Sequence, residues 1–143
     1  QAPLLKPSGL FGRLFKLSGA IERPFAKVEP DILLSGDQTL DLTAYGVQGV
    51  IMSTPGHTPG SLSVLLDDGA VLAGDLAASG ILLGGIALKG RPKPPPFEED
   101  PLQVARSLKF LLSKGAKRFY LGHGGPLDAG VIERYAGKLA QTA

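Results

Sequence analysis

The sequence has no cysteine and no tryptophan, and it holds only two histidines. Without thiols, a disulfide framework, thiolate metal centres and cysteine nucleophiles are all excluded. Imidazole chemistry falls to His57 and His123. Aromatic residues make up only 6%, and no basic stripe is interleaved with them, so no nucleic-acid partner is expected. Charge of one sign is also lacking. Fifteen Lys and Arg against thirteen Asp and Glu leave a net +2, too little to draw a phosphate backbone or an acidic membrane. The longest nearly apolar run, 76–88, contains Ser79 and three glycines and is too short to span a bilayer. No stretch has the order of a secretory signal. A soluble, cytoplasmic chain with no membrane partner is the expectation, and a first residue Gln1 fits a processed or truncated start.

What is present is glycine and proline. Twenty Gly and twelve Pro among 143 residues far exceed the usual sum of about 12%, and they fall in discrete turns. Hydrophobic residues at 43% and charged residues at 20% give an ordinary globular balance, enough for one compact domain. Residues 1–30 read as an irregular N-terminal segment, in which Leu10, Phe11, Leu14, Phe15 and Ser18 have the spacing of a short amphipathic helix. The main body, 31–143, begins with β-patterned runs: Asp31 to Leu34, Thr39 to Leu42, Val47 to Ser53, Ser61 to Leu66 and Ala70 to Ala73. Turns at 35–38 and at Asp67-Asp68-Gly69 separate them. A glycine-rich apolar stretch follows Asp75, then a basic, proline-rich loop from Lys89 to Pro96.

Two helices close the chain. Asp100 is suited to cap the first, with Pro101 at its opening position and Gln103 placed to complete a capping box. Val104, Leu108, Leu111 and Leu112 form its apolar stripe, and Gly115 ends it. Arg118 to Leu121 is a further strand. Asp128 is placed to cap the last helix, which carries Ile132, Tyr135 and Leu139 on one face. The fold class is mixed α and β, a sheet with helices on one face.

The two histidines stand in unusual settings. His57 sits between two Thr-Pro-Gly units, Thr54-Pro55-Gly56 and Thr58-Pro59-Gly60, directly after an apolar strand. His123 lies in Gly122-His123-Gly124-Gly125, also after an apolar strand, where glycines let a ligand or another backbone approach closely. Asp75 follows Ala70-Val71-Leu72-Ala73-Gly74, so a carboxylate is expected at the end of a buried strand, a costly place unless it is paired or binds a metal. Neutral imidazole nitrogen with carboxylate oxygen suits a zinc-like divalent ion. Each residue also has a plain structural use: the imidazoles as turn residues bonded to carbonyls, Asp75 as a turn cap. A Ser-His-Asp triad from Ser61 or Ser63 with His57 and Asp75 is the rival chemistry, but the Gly-x-Ser-x-Gly elbow is missing. The apolar stretch 77–88 is open to lining a pocket or to plain packing. Lys89, Arg91 and Lys93 are open to steering an anionic substrate, to docking a partner through the adjacent prolines, or to simple solvation.

In order and spacing, Thr54-Pro55-Gly56-His57-Thr58-Pro59-Gly60-Ser61, then Gly74-Asp75, then Gly122-His123-Gly124, resembles the later motifs of the metallo-β-lactamase superfamily. Pro96-Phe97-Glu98-Glu99-Asp100-Pro101, followed by a helix and a short strand, is also similar to its general hydrolases. The resemblance implies that His57 and His123 ligate metal ions and that Asp75 bridges them. It also implies a metal-bound hydroxide that attacks an ester, amide, thioester or phosphoester of a small-molecule substrate. Zinc is the expected ion, one or two of them, with iron or manganese as alternatives.

The family's earlier motif, His-x-His-x-Asp-His, has no counterpart here, since both histidines are already placed. By that correspondence each ion keeps two protein ligands, where catalytic zinc usually has three. The chain therefore resembles the C-terminal half of an αβ/βα sandwich, with a mostly antiparallel sheet. The inner face of that sheet is expected to need a missing N-terminal half or a second copy of the chain, giving an oligomer. The alternative to a hydrolase is a truncated, non-catalytic module, with no metal bound, that self-assembles or binds a partner.

Overall fold

The computed structural model of the chain describes residues 6–17, 28–34, 36, 38–81 and 87–142. The readings at Ser18, at Ser35 and Asp37 of the first turn, and at 82–86 of the apolar stretch lie outside the described residues. Among those described are helix α1 (Gly9–Leu17), strands β1 (Thr39–Asp41), β2 (Gly49–Ser53), β3 (Leu62–Leu66), β4 (Ala70–Ser79) and β5 (Pro92–Lys93), and helix α2 (Pro101–Ser113). Strands β6 (Arg118–His123) and β7 (Leu127–Asp128) and helix α3 (Ala129–Thr142) complete the chain. No helix is long and apolar enough to cross a membrane among the described residues.

The strands form one sheet in the order β1-β2-β3-β4-β6-β7, with β5 pairing onto the far end of β4. Every pairing is antiparallel except β4 with β6, which needs the α2 crossover to bring the chain back in the same direction. Sheet register explains what lies where. Val50, Leu65, Val71, Phe119 and Leu127 are consecutive cross-strand partners and so project from one face. That face carries the core: Val71 and Phe119 are fully buried, with Leu108 and Leu111 of α2 and Ile132 of α3. Helices α2 and α3 lie on that face.

The opposite face has its own apolar row. Leu40, Ile51, Val64, Leu72 and Tyr120 are likewise consecutive partners across β1, β2, β3, β4 and β6. None of the five belongs to the core cluster, and Leu72 and Tyr120 are 50% and 43% exposed.

Helix α2 starts as its sequence dictates. Asp100 caps it by accepting a hydrogen bond from the Gln103 amide at 3.0 Å, and Pro101 opens the first turn. The Gln103 side chain is instead an acceptor for Arg106. Leu112 is only half-buried, and Gly115 takes the positive φ that ends the helix. The hairpin turn at 67–69 forms as expected, Asp68 accepting from the Ala70 amide at 2.8 Å.

Four expectations are corrected. Asp31 to Leu34 is not a strand: Ile32 and Leu33 are exposed, and among the described residues no strand pairs with the run, without which an apolar segment does not stay extended in a sheet. Leu14 of α1 is exposed rather than packed. Asp128 ends β7 and lies 3.7 Å from Arg118. Finally, β4 runs on past Asp75 to Ser79, and part of the proline-rich loop is the strand β5 that pairs with it. The N-terminal segment docks on that loop: the Ser8 amide donates to the Pro96 carbonyl at 2.8 Å and the Glu98 amide to the Lys6 carbonyl at 3.0 Å.

Candidate metal centre

The loop carrying His57 is held at nearly every residue. The Thr54 and Ser63 hydroxyls share a hydrogen bond of 2.7 Å, and the Thr54 amide donates to the Ser61 carbonyl. The Pro55 carbonyl accepts from the Ser107 hydroxyl of α2 at 2.6 Å. The Gly56 and His57 carbonyls accept from the amides of Asp100 and Glu99. Gly56 has φ +136°, and a side chain there would run into the backbone of Val104, so only glycine lets the loop seat against the first turn of α2. Ser61 in turn accepts from the Thr58 amide at 3.1 Å. These bonds occupy the two hydroxyls of the rival triad, and Ser63 is buried against Thr54. A serine nucleophile is therefore not supported.

Asp75 stands in the middle of β4, not at its end. Against β6, the β4 register shifts between Leu72 and Gly74 and again between Gly74 and Ala78. Extra residues in one strand of a pair bend it and re-aim a side chain. Gly74, at φ +55°, takes the left-handed conformation this needs. Opposite the bulge lies Gly122, whose missing side chain makes room: a Cβ there would come within 2.5 Å of Asp75 Oδ1.

His123 is the last residue of β6. The turn after it is pinned by Ser79, a fully buried hydroxyl that accepts from the Gly125 amide at 2.7 Å.

These three elements converge. His57 Nε2 lies 3.8 Å from Asp75 Oδ2, and His123 Nε2 lies 3.9 Å from Asp75 Oδ1. Each carboxylate oxygen thus faces a different imidazole. Both separations are too long for hydrogen bonds. Tetrahedral bonds of about 2.0–2.2 Å set two donors on one zinc-like ion about 3.4 Å apart, so each pair would have to close by about half an ångström to share an ion. Asp75 Oδ1 is buried without a hydrogen-bond partner, as is His57 Nδ1. An orphaned carboxylate oxygen beside an imidazole is the kind of acceptor a cation satisfies. The donor types suit a divalent ion. Among the described residues no group of three or more His, Cys, Asp or Glu side chains is arranged to hold a metal ion. The site is open to solvent, with the Asp75 side chain 32% exposed and His123 39%.

A second polar cluster escaped the sequence reading. Glu98 is 5% exposed, and burial, with Asp100 adding to it, pushes its carboxyl up to about 7. Tyr135 of α3 is also buried, and burial together with Glu98 raises its phenol well above the ordinary value. Both the Glu98 Oε1 and Tyr135 hydroxyl oxygens are buried without partners. The acidic run 98–100 read as a helix start, and nothing local marks Glu98 as pointing inward.

Neither a family model nor a curated protein matches this sequence. Solved structures do match in fold. An archaeal metallo-β-lactamase superfamily protein from Sulfolobus tokodaii aligns over 88% of this chain and 47% of its own, with TM-score 0.58 and 23% identity. A metallo-β-lactamase family protein from Thermus thermophilus aligns over 90% of this chain and 42% of its own, with TM-score 0.54 and 24% identity. A metallo-β-lactamase from Pontibacter korlensis gives 82%, 51%, TM-score 0.52 and 18% identity. The fold of this chain is therefore that of metallo-β-lactamase superfamily proteins, and it spans about half the length of these three.

Proposed function

We propose that this chain is the metal-binding layer of a metal-dependent hydrolase acting on an ester, amide, thioester or phosphoester of a small molecule. The observation that carries the reading is the Asp75 carboxylate, with an imidazole Nε2 facing each of its oxygens. His57 and Asp75 Oδ2 would hold one ion, His123 and Asp75 Oδ1 a second, with Asp75 as the bridge. Zinc suits this donor set best, and iron or manganese accept the same donors. A bound ion of this kind polarises an acyl or phosphoryl oxygen and makes a bound water acidic enough to attack near neutral pH. The chain's own part is positioning. The braced 54–61 loop fixes one ring, the Gly74 bulge aims the carboxylate, and the Ser79 contact fixes the turn behind the other ring.

Two donors per ion is fewer than catalytic zinc normally keeps. The rest of the donor set belongs, in this reading, to a second layer of the same fold. That layer is the part of the relatives' length that this chain does not span, and it covers the bare row from Leu40 to Tyr120. In sedimentation, the chain alone is expected to form no discrete complex, while an apolar dye binds its bare face and is lost in Leu72→Lys/Tyr120→Lys. A stable two-copy dimer broken by that double variant would give the cover to a second copy instead.

Zinc titration tests the centre itself. His57→Ala and His123→Ala are each expected to weaken zinc binding by at least about tenfold, the loss of one ligand's share. Unchanged affinity in both would remove the proposal. The absence of a three-donor group among the described residues favours one second reading, a non-catalytic module that keeps the fold for assembly alone. It requires no zinc uptake by the chain, with or without its covering layer.

A further inference from the structure

The net charge of +2 gives a membrane little to hold, but it hides an uneven distribution. Residues 1–21 and 76–97 carry six cations, Lys6, Arg13, Lys16, Lys89, Arg91 and Lys93, and no carboxylate. The remaining nine cations share the rest of the chain with all thirteen carboxylates. The two cationic segments meet in the fold. Pro7 bridges to Phe97, the Ser8 amide donates to the Pro96 carbonyl at 2.8 Å, and the Ser8 hydroxyl donates to the Pro95 carbonyl. Charge of one sign is thereby gathered around this junction.

Helix α1 is seated on the junction with leucines turned outward. Gly12 is buried, and a Cβ there would collide with the Pro96 carbonyl, so the glycine marks the docked face. At about 100° per residue, Leu14 and Leu17 lie roughly 160° and 140° round the helix from Gly12. They are 58% and 84% exposed, and Arg13 and Lys16 between them and the docked face are exposed too. A surface helix ordinarily turns its apolar stripe inward. Leucines facing out beside cations are the pattern of a helix lying in a membrane interface, where apolar side chains enter the acyl boundary and cations meet anionic headgroups. A nine-residue helix is too short to span a bilayer, so it can only lie on one. The turn that precedes the junction repeats the pairing: Ile81 and Leu88 are half-exposed, with Lys89 and Arg91 exposed beside them. These four exposed apolar side chains are aliphatic and offer nucleic-acid bases nothing to stack on.

We propose that α1 docks this chain on the surface of an anionic membrane, with Leu14 and Leu17 entering the interface and Arg13 and Lys16 held at the headgroups. The inference does not depend on the metal centre.

The test is cosedimentation of the full chain with vesicles of phosphatidylcholine and phosphatidylserine, beside vesicles of phosphatidylcholine alone. The chain is expected to bind the mixed vesicles, to ignore the neutral ones and to be released by high salt. Arg13→Gln/Lys16→Gln should weaken binding about twentyfold, roughly fivefold for each cation. Leu14→Ser/Leu17→Ser should weaken it at least about tenfold. Leu72→Ser/Tyr120→Ser, on the bare sheet face, should bind as the parent does. The chain has no tryptophan, so Leu17→Trp is a single reporter whose emission should shift to the blue on the mixed vesicles. No binding by the parent chain would overturn the proposal, and so would an unshifted Leu17→Trp in a chain that sediments. Binding that survives both α1 double variants but is lost in Leu72→Ser/Tyr120→Ser would move the contact to the sheet and sink it. Binding to soluble polyglutamate with none to vesicles would assign α1 to an acidic protein instead.

Discussion

The sheet has two apolar faces, and among the described residues only one of them is covered by helices. On one, Val50, Leu65, Val71, Phe119 and Leu127 sit under α2 and α3. On the other, Leu40, Ile51, Val64, Leu72 and Tyr120 make an equally continuous row outside the core cluster, with Leu72 and Tyr120 exposed. A sheet with one solvated face normally alternates apolar with polar, whereas strands covered on both sides are apolar throughout. Strands β2, β3 and β4 are of the second kind. Their sequence is suited to cover on both sides, and the described residues place helices on one.

The largest test of that contrast is Phe119→Ala against Tyr120→Ala, neighbours on opposite faces. Truncating the fully buried Phe119 is expected to cost about 3–5 kcal/mol in urea unfolding. Tyr120, 43% exposed, should cost far less, about 1 kcal/mol or under. Comparable losses would mean that the second face is already packed.

Next in size is a pH dependence seated on the covered side. Glu98 is raised from 4.5 in the unfolded chain to about 7 in the fold, mainly by burial. The folded state therefore holds the proton more tightly than the unfolded one. Stability should be greatest below pH ~4.5, fall by a few kcal/mol as the pH rises to about 7, and level off above it. Glu98→Gln should flatten that slope. A variant as pH-dependent as the parent would place the titration elsewhere.

Smaller still is the helix start on the covered side, where Asp100→Ala removes the cap of α2 and should cost about 1 kcal/mol in the same unfolding assay. The least effect belongs to the bare face. Leu72→Ser should change the stability of the chain alone by only about 0.5 kcal/mol. It should lower its affinity for a covering layer much more. A large loss in the chain alone would contradict the contrast.

The comparison also shows what can be read from a sequence. The two Thr-Pro-Gly units, the glycines around His123 and the Asp100-Pro101 helix start were legible because each is a local constraint, fixed by φ, by a missing Cβ or by a cap. What was not legible depends on partners distant in sequence. Asp31 to Leu34 looks like a strand but pairs with none among the described residues. Strand β4 passes through Asp75 because β5 and β6 pair with its far end, and the bulge at Gly74 absorbs the mismatch. Ser79 ends an apolar run in the sequence, yet in the fold it anchors the Gly125 amide, 46 residues away.

The central claim is that Asp75 is shared between two imidazoles for the sake of a metal ion. Zinc titration of Asp75→Asn, beside Gly122→Ala, tests it most directly, with circular dichroism to show that both variants keep the parent fold. Asparagine keeps the shape but loses the charge, and an alanine at 122 pushes against the Asp75 carboxylate while leaving both histidines in place. The account expects Asp75→Asn to lose zinc binding by at least about a hundredfold and Gly122→Ala to weaken it measurably. Parent-like zinc affinity in Asp75→Asn would contradict it.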